Sequence, residues 1–506
     1  MCLFDFLFSP AIILTVMFSV SEQEILRRLR TDSLWWENRN DVRWKDSPKR
    51  IYFTPFFELI YEKKINRAVV LMGPRRVGKT VMVHQAVAEL IRKRVDPKRI
   101  LYVPLDNPLY SGLSLEKIFL IFTELNSIAQ DESGYLFFDE IQYLSDWERH
   151  LKSLVDSYPQ HRFIATGSAA AVLKLKSDES GAGRFTDFIL PPLTFYEYVK
   201  FSDKEKRFFV QGEEVPYIPP SQIGLLLEKI EDLNEEFINY INFGGYPEAV
   251  FLEEVRENPG RFIRNDIIEK VLLRDLPSLY GIRDIPELNR LFVTLAHNTG
   301  QEINLSGLSQ DSSVAKTTIL KYLEYLEAAF LIKRVSRIDR NARKFKREHK
   351  FKVYITNASM YPALFGALEE DNKTILGKLA ETAFFSNSFH LPEHSQKSYY
   401  ARWKNGEVDQ VDMGATGITV AVEIKWSDRP LEDSSEIKGL LDFAEENKLF
   451  DPSCLCCCTL TKQDVRHYGN KEIVFIPTSI YCFLLGQSLN SSEFREDLLK
   501  SAVQRK

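Results

Sequence analysis

Residues 67–72, RAVVLM, run straight into residues 73–80, GPRRVGKT. A short apolar run that stops just before a glycine suits a buried parallel strand. The eight residues after it have the P-loop form: Gly73, then Pro74, Arg75, Arg76 and Val77, then Gly78, Lys79 and Thr80. Residues 80–94 predict a helix, with Val83, Val87, Leu90 and Ile91 on one face. Between strand and helix, the two glycines let the backbone curl so that successive N–H groups point at phosphate oxygens. The helix adds the positive end of its dipole. Lys79 is placed to reach the β- and γ-phosphates of ATP, and Thr80 offers a hydroxyl to Mg2+. The competing reading is a plain glycine-rich turn, and the strand–loop–helix setting weighs against it.

Outward from the loop the alternation repeats. Residues 100–105, 135–138 (YLFF), 162–166 (RFIAT) and 187–190 predict further strands, with helices at 115–126 and 147–157. This predicts a parallel sheet with helices on both faces. Asp139 and Glu140 close the YLFF strand. Asp139 is assigned to the Mg2+ shell and Glu140 to polarising the attacking water, the alternative for Glu140 being a helix N-terminal charge. Thr166 and Ser168 end the next strand and can position the water or the γ-phosphate, or simply cap a helix. Arg184 reads as a γ-phosphate or trans-acting finger, which would require a homo-oligomer in the second case, or as an ordinary salt bridge.

Near the other end, Glu381 falls in a predicted helix, GKLAETAFF, and Asp409 on the second strand of a hairpin, YYARWKNGEVDQVDM, with Asn405-Gly406 as its expected turn. The next strand ends Val422-Glu423-Ile424-Lys425. Strand period is two, so Glu423 and Lys425 share a face. Asp409 and Glu423 can hold a Mg2+ or Mn2+ ion with Glu381 as a third ligand, and Lys425 can orient or deprotonate a water. Phosphodiester hydrolysis uses such a set. The competing reading is a contact domain whose charges satisfy one another. Between the two ends, residues 303–332 resemble a helix-turn-helix, with Lys316, Thr317 and Thr318 exposed. The basic stretch after it (Arg337, Arg340, Arg343, Lys344, Lys346, Arg347, Lys350, Lys352) reads as a wing along DNA phosphate or as a solvated loop. Gly244-Gly245-Tyr246-Pro247 reads as an architectural joint.

RAVVLMGPRRVGKT, YLFFDEIQYLSDWERHLKSLVD, FIATGSAA, GRFTDFILPPLTFYEYV and GGYPEAV together resemble the prokaryotic AAA+-like P-loop ATPases whose C-terminal half is of uncharacterised function and nuclease-like. The resemblance spans about residues 45–480. It implies an N-terminal segment (1–44), an AAA+-like ATPase domain (45–200), a helical linker (201–284), a winged-helix-like domain (285–352) and a restriction-endonuclease-like α/β domain (353–506). Lys79, Thr80, Asp139, Glu140 and the sensor position Thr166 fall on its ATPase pattern. Glu381, Asp409, Glu423 and Lys425 fall on its nuclease pattern, with Val408 where that pattern usually has proline.

The chain has 506 residues, 44% of them apolar and 27% charged, with net charge −5. That excludes wholesale disorder and a uniformly basic nucleic-acid coat, but not one basic face. Four of six cysteines crowd into 454–458, which fits a reducing, cytoplasmic compartment better than a disulfide framework or metal site. His390 and His394 read as surface-loop histidines. Residues 7–20 carry no charge. Three readings stand there: a non-structural or mis-started N-terminus, a docked helix, or a membrane anchor. A membrane partner is not expected for the body.

Overall fold

The computed structural model describes residues 21–62, 66–129, 132–168, 183–202, 204–209, 220–344, 350–391, 397–414, 417–449 and 454–504. The apolar stretch 7–20, the wing residues Lys346 and Arg347, and His394 lie outside the described residues. Strands β1 (Ala68–Met72), β2 (Ile100–Pro104), β3 (Tyr135–Asp139), β4 (Arg162–Gly167) and β5 (Phe185–Ile189) form a sheet in the order β2-β3-β4-β1-β5. Every pairing is parallel. These strands are almost wholly buried because helices cover both faces. Val69 and Leu71 face one apolar core, and Ala68, Val70 and Met72 the other.

The strand order decides the chemistry. β4 lies between β1 and β3, so Thr166 near its C-terminal end stands between the loop that follows β1 and Asp139 at the end of β3. All five strands run the same way, so what precedes β5 lies at the opposite edge. Arg184 is there: its carbonyl accepts from the Ala68 N–H at 2.9 Å, and its guanidinium pairs with Asp156. The structure does not bring it to the nucleotide loop of its own chain.

A second sheet holds β6 (Glu302–Asn304), β7 (Ile332–Ile338), β8 (Lys350–Ile355), β9 (Lys397–Trp403), β10 (Gly406–Gly414), β11 (Gly417–Ile424), β12 (Leu455–Thr459), β13 (Asp464–Tyr468) and β14 (Lys471–Pro477). Its order is β13-β14-β12-β11-β10-β9-β7-β8-β6. β9, β10 and β11 are an antiparallel meander, and β12 returns parallel to β11. β7 pairs in parallel with β9, joining the antiparallel β6-β8-β7 group to the meander. The boundary drawn at 352/353 therefore falls inside β8. The hairpin turn lies at Lys404-Asn405, one residue earlier than expected, because Gly406 already pairs with Trp403. The Trp403 ring covers Gly406, where a Cβ would sit 2.3 Å from it.

The lead-in before β1 clamps the halves together. Arg50 is 6% exposed and gives two bonds to Glu197, at 2.7 and 3.0 Å. It also donates to the carbonyls of Val77, Pro191 and Pro192. Tyr52 Oη is 2.8 Å from His390 Nδ1. His390 is thus a core residue and not on the surface, with 6% exposure. The cysteines at 456–458 line β12 as buried small apolar side chains.

Burial pushes His84 down to about 4, helped by Arg43, and pushes His390 down to about 3. Both are neutral when folded, while the unfolded chain protonates them below about pH 6.5. The unfolded state then binds more protons, so stability falls as pH drops below that value. By pH 5 each histidine should cost about 2 kcal/mol. Thermal unfolding at pH 7 and pH 5 checks this: His390→Gln should flatten the loss, and an unchanged slope would count against it.

Candidate functional site

The nucleotide loop is built by three neighbouring strand ends. Gly73 has no room for a side chain: a Cβ would stand 2.2 Å from the Leu190 carbonyl oxygen. Gly78 caps the helix Lys79–Arg92 in the left-handed region, at φ 97°. Arg76 is also left-handed, at φ 65°, which costs energy in a non-glycine residue. The Lys79 ammonium is buried and donates to the carbonyls of Gly73 (3.1 Å) and Pro74 (2.9 Å). Burial lowers its pKa, against the pull of Glu140 and Asp139.

Three hydroxyls converge on Asp139. Thr80 Oγ1 donates to Oδ2 at 2.8 Å, Tyr102 Oη donates to Oδ2 at 2.7 Å, and Thr166 Oγ1 donates to Oδ1. Thr166 Oγ1 also accepts from the Glu140 N–H at 3.0 Å. Glu140 is left-handed, with φ 54° and ψ 50°, so the chain turns sharply and lifts its carboxylate out of the strand line. Gln142 donates to that carboxylate and accepts from the Ser168 N–H at 3.3 Å. Loop lysine, Thr80, Asp139, Glu140 and Thr166 are thus brought together, and Arg184 is not among them.

The loop arginines reach the helical region. Arg75 makes two bonds to Asp275, at 2.7 and 2.8 Å. Arg76 makes two to Glu248, at 2.8 and 2.9 Å, and its guanidinium lies over the Phe262 ring. Motif reading assigned both to the nucleotide and missed these partners, which are some 170–200 residues away in sequence.

In the second sheet, a cavity of about 540 Å3 takes in Glu381, Glu407, Asp409, Glu423, Lys352 and Lys425. A β-bulge aims Asp409: Val408 pairs with Ala401, but Val411 pairs with Tyr399, leaving one residue extra in β10. Asp409 Oδ2 accepts from the Ile424 N–H at 2.9 Å, which ties β10 to the end of β11. Lys425 Nζ is 2.9 Å from Glu423 Oε1, while Glu423 Oε2 is buried without a hydrogen-bond partner. Burial, then Asp409, pushes the Glu423 carboxyl up to about 8. Lys425 is raised: burial opposes its charge, but Glu423 and Asp409 hold the proton on.

Glu381 is turned elsewhere, toward Lys352 Nζ (3.1 Å) and Tyr354 Oη (2.7 Å). Among the described residues no group of three metal-type side chains is set to hold a metal ion as the chain stands, and the expected Glu381–Asp409–Glu423 set is not one: Glu381 and Asp409 share the Lys352 ammonium instead. Asp409 and Glu423 remain a fit for an ion, on the strength of the unpartnered Glu423 oxygen. Lys352 is 3% exposed inside this cavity and so is not a wing residue on the surface. Other basic residues of that stretch are paired within the chain: Arg337 and Lys350 with Glu302, and Arg340 with Glu446. Glu407 was missed in the sequence, although the signal was there: it is two residues from Asp409 on one strand face. Lys352 and Tyr354 gave no such signal, because pairing of distant strands brings them in. Trp403 stacks on Phe443 and Trp426 on Phe237, as sheet packing.

Residues 65–199 match the AAA domain, so this part is an AAA+-like P-loop ATPase domain, a class that binds and hydrolyses ATP with Mg2+. Residues 234–371 match a domain of unknown function (DUF8612). An uncharacterised protein of Methanocaldococcus jannaschii is 24% identical over 76% of this chain and 80% of its own length. An uncharacterised protein of Haemophilus influenzae is 26% identical over 56% of this chain and 65% of its own length. Among solved structures, C. elegans PCH-2 aligns with a TM-score of 0.27 and 16% identity, over 47% of this chain and 62% of that one. Replication initiator DnaA, bound to AMPPCP and single-stranded DNA, aligns with a TM-score of 0.24 and 16% identity, over 56% of this chain and 88% of that one. No helix among the described residues is long and apolar enough to cross a membrane.

Proposed function

We propose that the chain is an ATP-driven switch in which the P-loop domain acts, through the helical region, on a DNA-facing winged helix and a nuclease-like C-terminal cavity. The observation that carries the coupling is the pair of contacts Arg75–Asp275 and Arg76–Glu248: the residues that wrap a nucleotide also grip the helical region. A triphosphate brings several negative charges to these arginines and competes with the carboxylates for them. Lys79 and the loop amides bind the phosphates, Thr80 and Asp139 hold Mg2+, Glu140 polarises the attacking water, and Thr166 keeps Asp139 and Glu140 in register.

The winged-helix reading is supported by the helices Leu305–Ser312 and Lys316–Ala328 standing between β6 and β7, with the sheet order β6-β8-β7. Lys316 and Thr317 at the start of the second helix are exposed. The nuclease-like reading is supported by the helix Lys373–Ser388, the β9-β10-β11 meander, and β12 parallel to β11. Asp409 and Glu423 would hold Mg2+ or Mn2+, which supplies a Lewis acid toward a phosphodiester. Lys425 orients the water.

The test is incubation of the protein with plasmid, linear and single-stranded DNA, under Mg2+ or Mn2+, with and without ATP. Metal-dependent cutting that is lost in Asp409→Ala is expected. ATP turnover with no cutting under any condition supports a second reading, a nucleotide-gated regulatory protein with an inactive cavity. The ammonium groups of Lys352 and Lys425 already paired with the carboxylates favour that reading.

A further inference from the structure

Lys352 comes from β8, a strand of the helix-turn-helix sheet, yet its side chain ends among carboxylates of the other unit. Its Nζ is 2.8 Å from Glu407 Oε1, 3.1 Å from Glu381 Oε1 and 3.4 Å from Asp409 Oδ1. Those groups come from two elements, the helix Lys373–Ser388 and β10. Tyr354, two residues on and on the same strand face, donates to the same Glu381 oxygen. A single cation bridging three carboxylates compensates their mutual repulsion as a bound ion would. The corner it fills is distinct from the Glu423 corner. There Glu423 Oε2 is unpartnered, and Glu423, at 7% exposure, is more than nine-tenths buried.

We propose that Lys352 is a built-in cation of this cavity: it occupies the Glu381–Glu407–Asp409 corner and so limits the cavity to one divalent ion, held by Asp409 and Glu423. This rests on the metal-binding reading of the cavity given above. It makes Lys352 a positioning residue. It also makes the cavity composite, because the strand that carries the lysine belongs to the unit that would face DNA. Any shift of β8 relative to β10 withdraws a positive charge from Asp409 and leaves a second ion-binding corner open.

The test is Mn2+ binding to the full nucleotide-free chain, counted by electron paramagnetic resonance of free Mn2+, with Asp409→Ala as the subtraction. One Asp409-dependent ion is expected in the wild type, two in Lys352→Gln, and one in Lys352→Arg, which keeps the charge. Without Mn2+, Lys352→Gln should unfold at lower temperature than wild type, and Mn2+ should restore more of that loss than it adds to wild type. If Lys352→Gln does not fold, Lys352→Gln/Glu407→Gln removes one charge of each sign and still leaves Glu381 and Asp409 for a second ion. One ion in the wild type and one in the lysine-to-glutamine variants, with equal affinity, overturns this inference alone. No Asp409-dependent ion in any variant overturns both it and the metal-binding reading.

Discussion

Glu140→Gln should lower ATP turnover by at least about 100-fold while leaving ATP binding near wild type, as expected when a general base is lost. The two adjacent carboxylates have different surroundings. Asp139 is 4% exposed and accepts from Thr80, Tyr102 and Thr166, so it is held in place at the proposed Mg2+ position and is not free to take a proton from water. Glu140 follows it in a left-handed turn, which points its side chain away from that cluster and toward Gln142. A water-polarising carboxylate needs this kind of partly open position. Lys79→Ala supplies the contrast: it removes the ammonium beside the loop and should weaken ATP binding itself. Phosphate release and a nucleotide titration on the same samples separate the two effects. Turnover in Glu140→Gln close to wild type would assign the role elsewhere.

The largest effect on stability is expected at Glu197. Its carboxylate is fully buried and meets the buried Arg50 in two bonds. Removing it leaves a guanidinium in the core with only the carbonyls of Val77, Pro191 and Pro192. Breaking a buried pair from one side costs about 3–5 kcal/mol, because an uncompensated charge stays behind. Glu197→Ala should therefore unfold at markedly lower temperature than Glu58→Ala, a change in the lead-in helix Phe53–Tyr61 outside this pair. Because Arg50 also holds the Val77 carbonyl inside the nucleotide loop, the ATP affinity of whatever folds should fall too. Denaturation with and without ATP measures both. Equal stability of the two variants would remove Arg50–Glu197 as the clamp between lead-in and ATPase domain.

Much of the ATPase half could be read along the chain because its signals are local. A strand, a loop of fixed spacing and a helix are contiguous, and phosphate binding uses backbone amides that any correct spacing provides. The strand endings Asp139 and Thr166 followed from the same alternation. Arg184 pairs with Asp156, the salt-bridge alternative, and is kept from its own chain's loop for a non-local reason: the parallel direction of β5 puts the residue before it at the far edge of the sheet. The C-terminal cavity was half legible. Period two on a strand put Glu423 with Lys425, but Glu407 was not picked out beside Asp409, and the bulge after Val408 that aims Asp409 has no signature in composition.

By itself the sequence determined the nucleotide loop, the sheet of alternating strands and helices, and the acidic residues at strand ends, since each depends on neighbours within a few residues. Only the tertiary structure decided what the charges do. Arg75 and Arg76 bind helical-region carboxylates, Glu381 turns to Lys352 and Tyr354, and Lys352 leaves an apparent basic wing for a buried corner. The physical reason is that a buried charge must find an opposite charge in space. Which one it finds is set by the packing of elements that lie 27 to 200 residues apart in sequence and not by its neighbours in the chain.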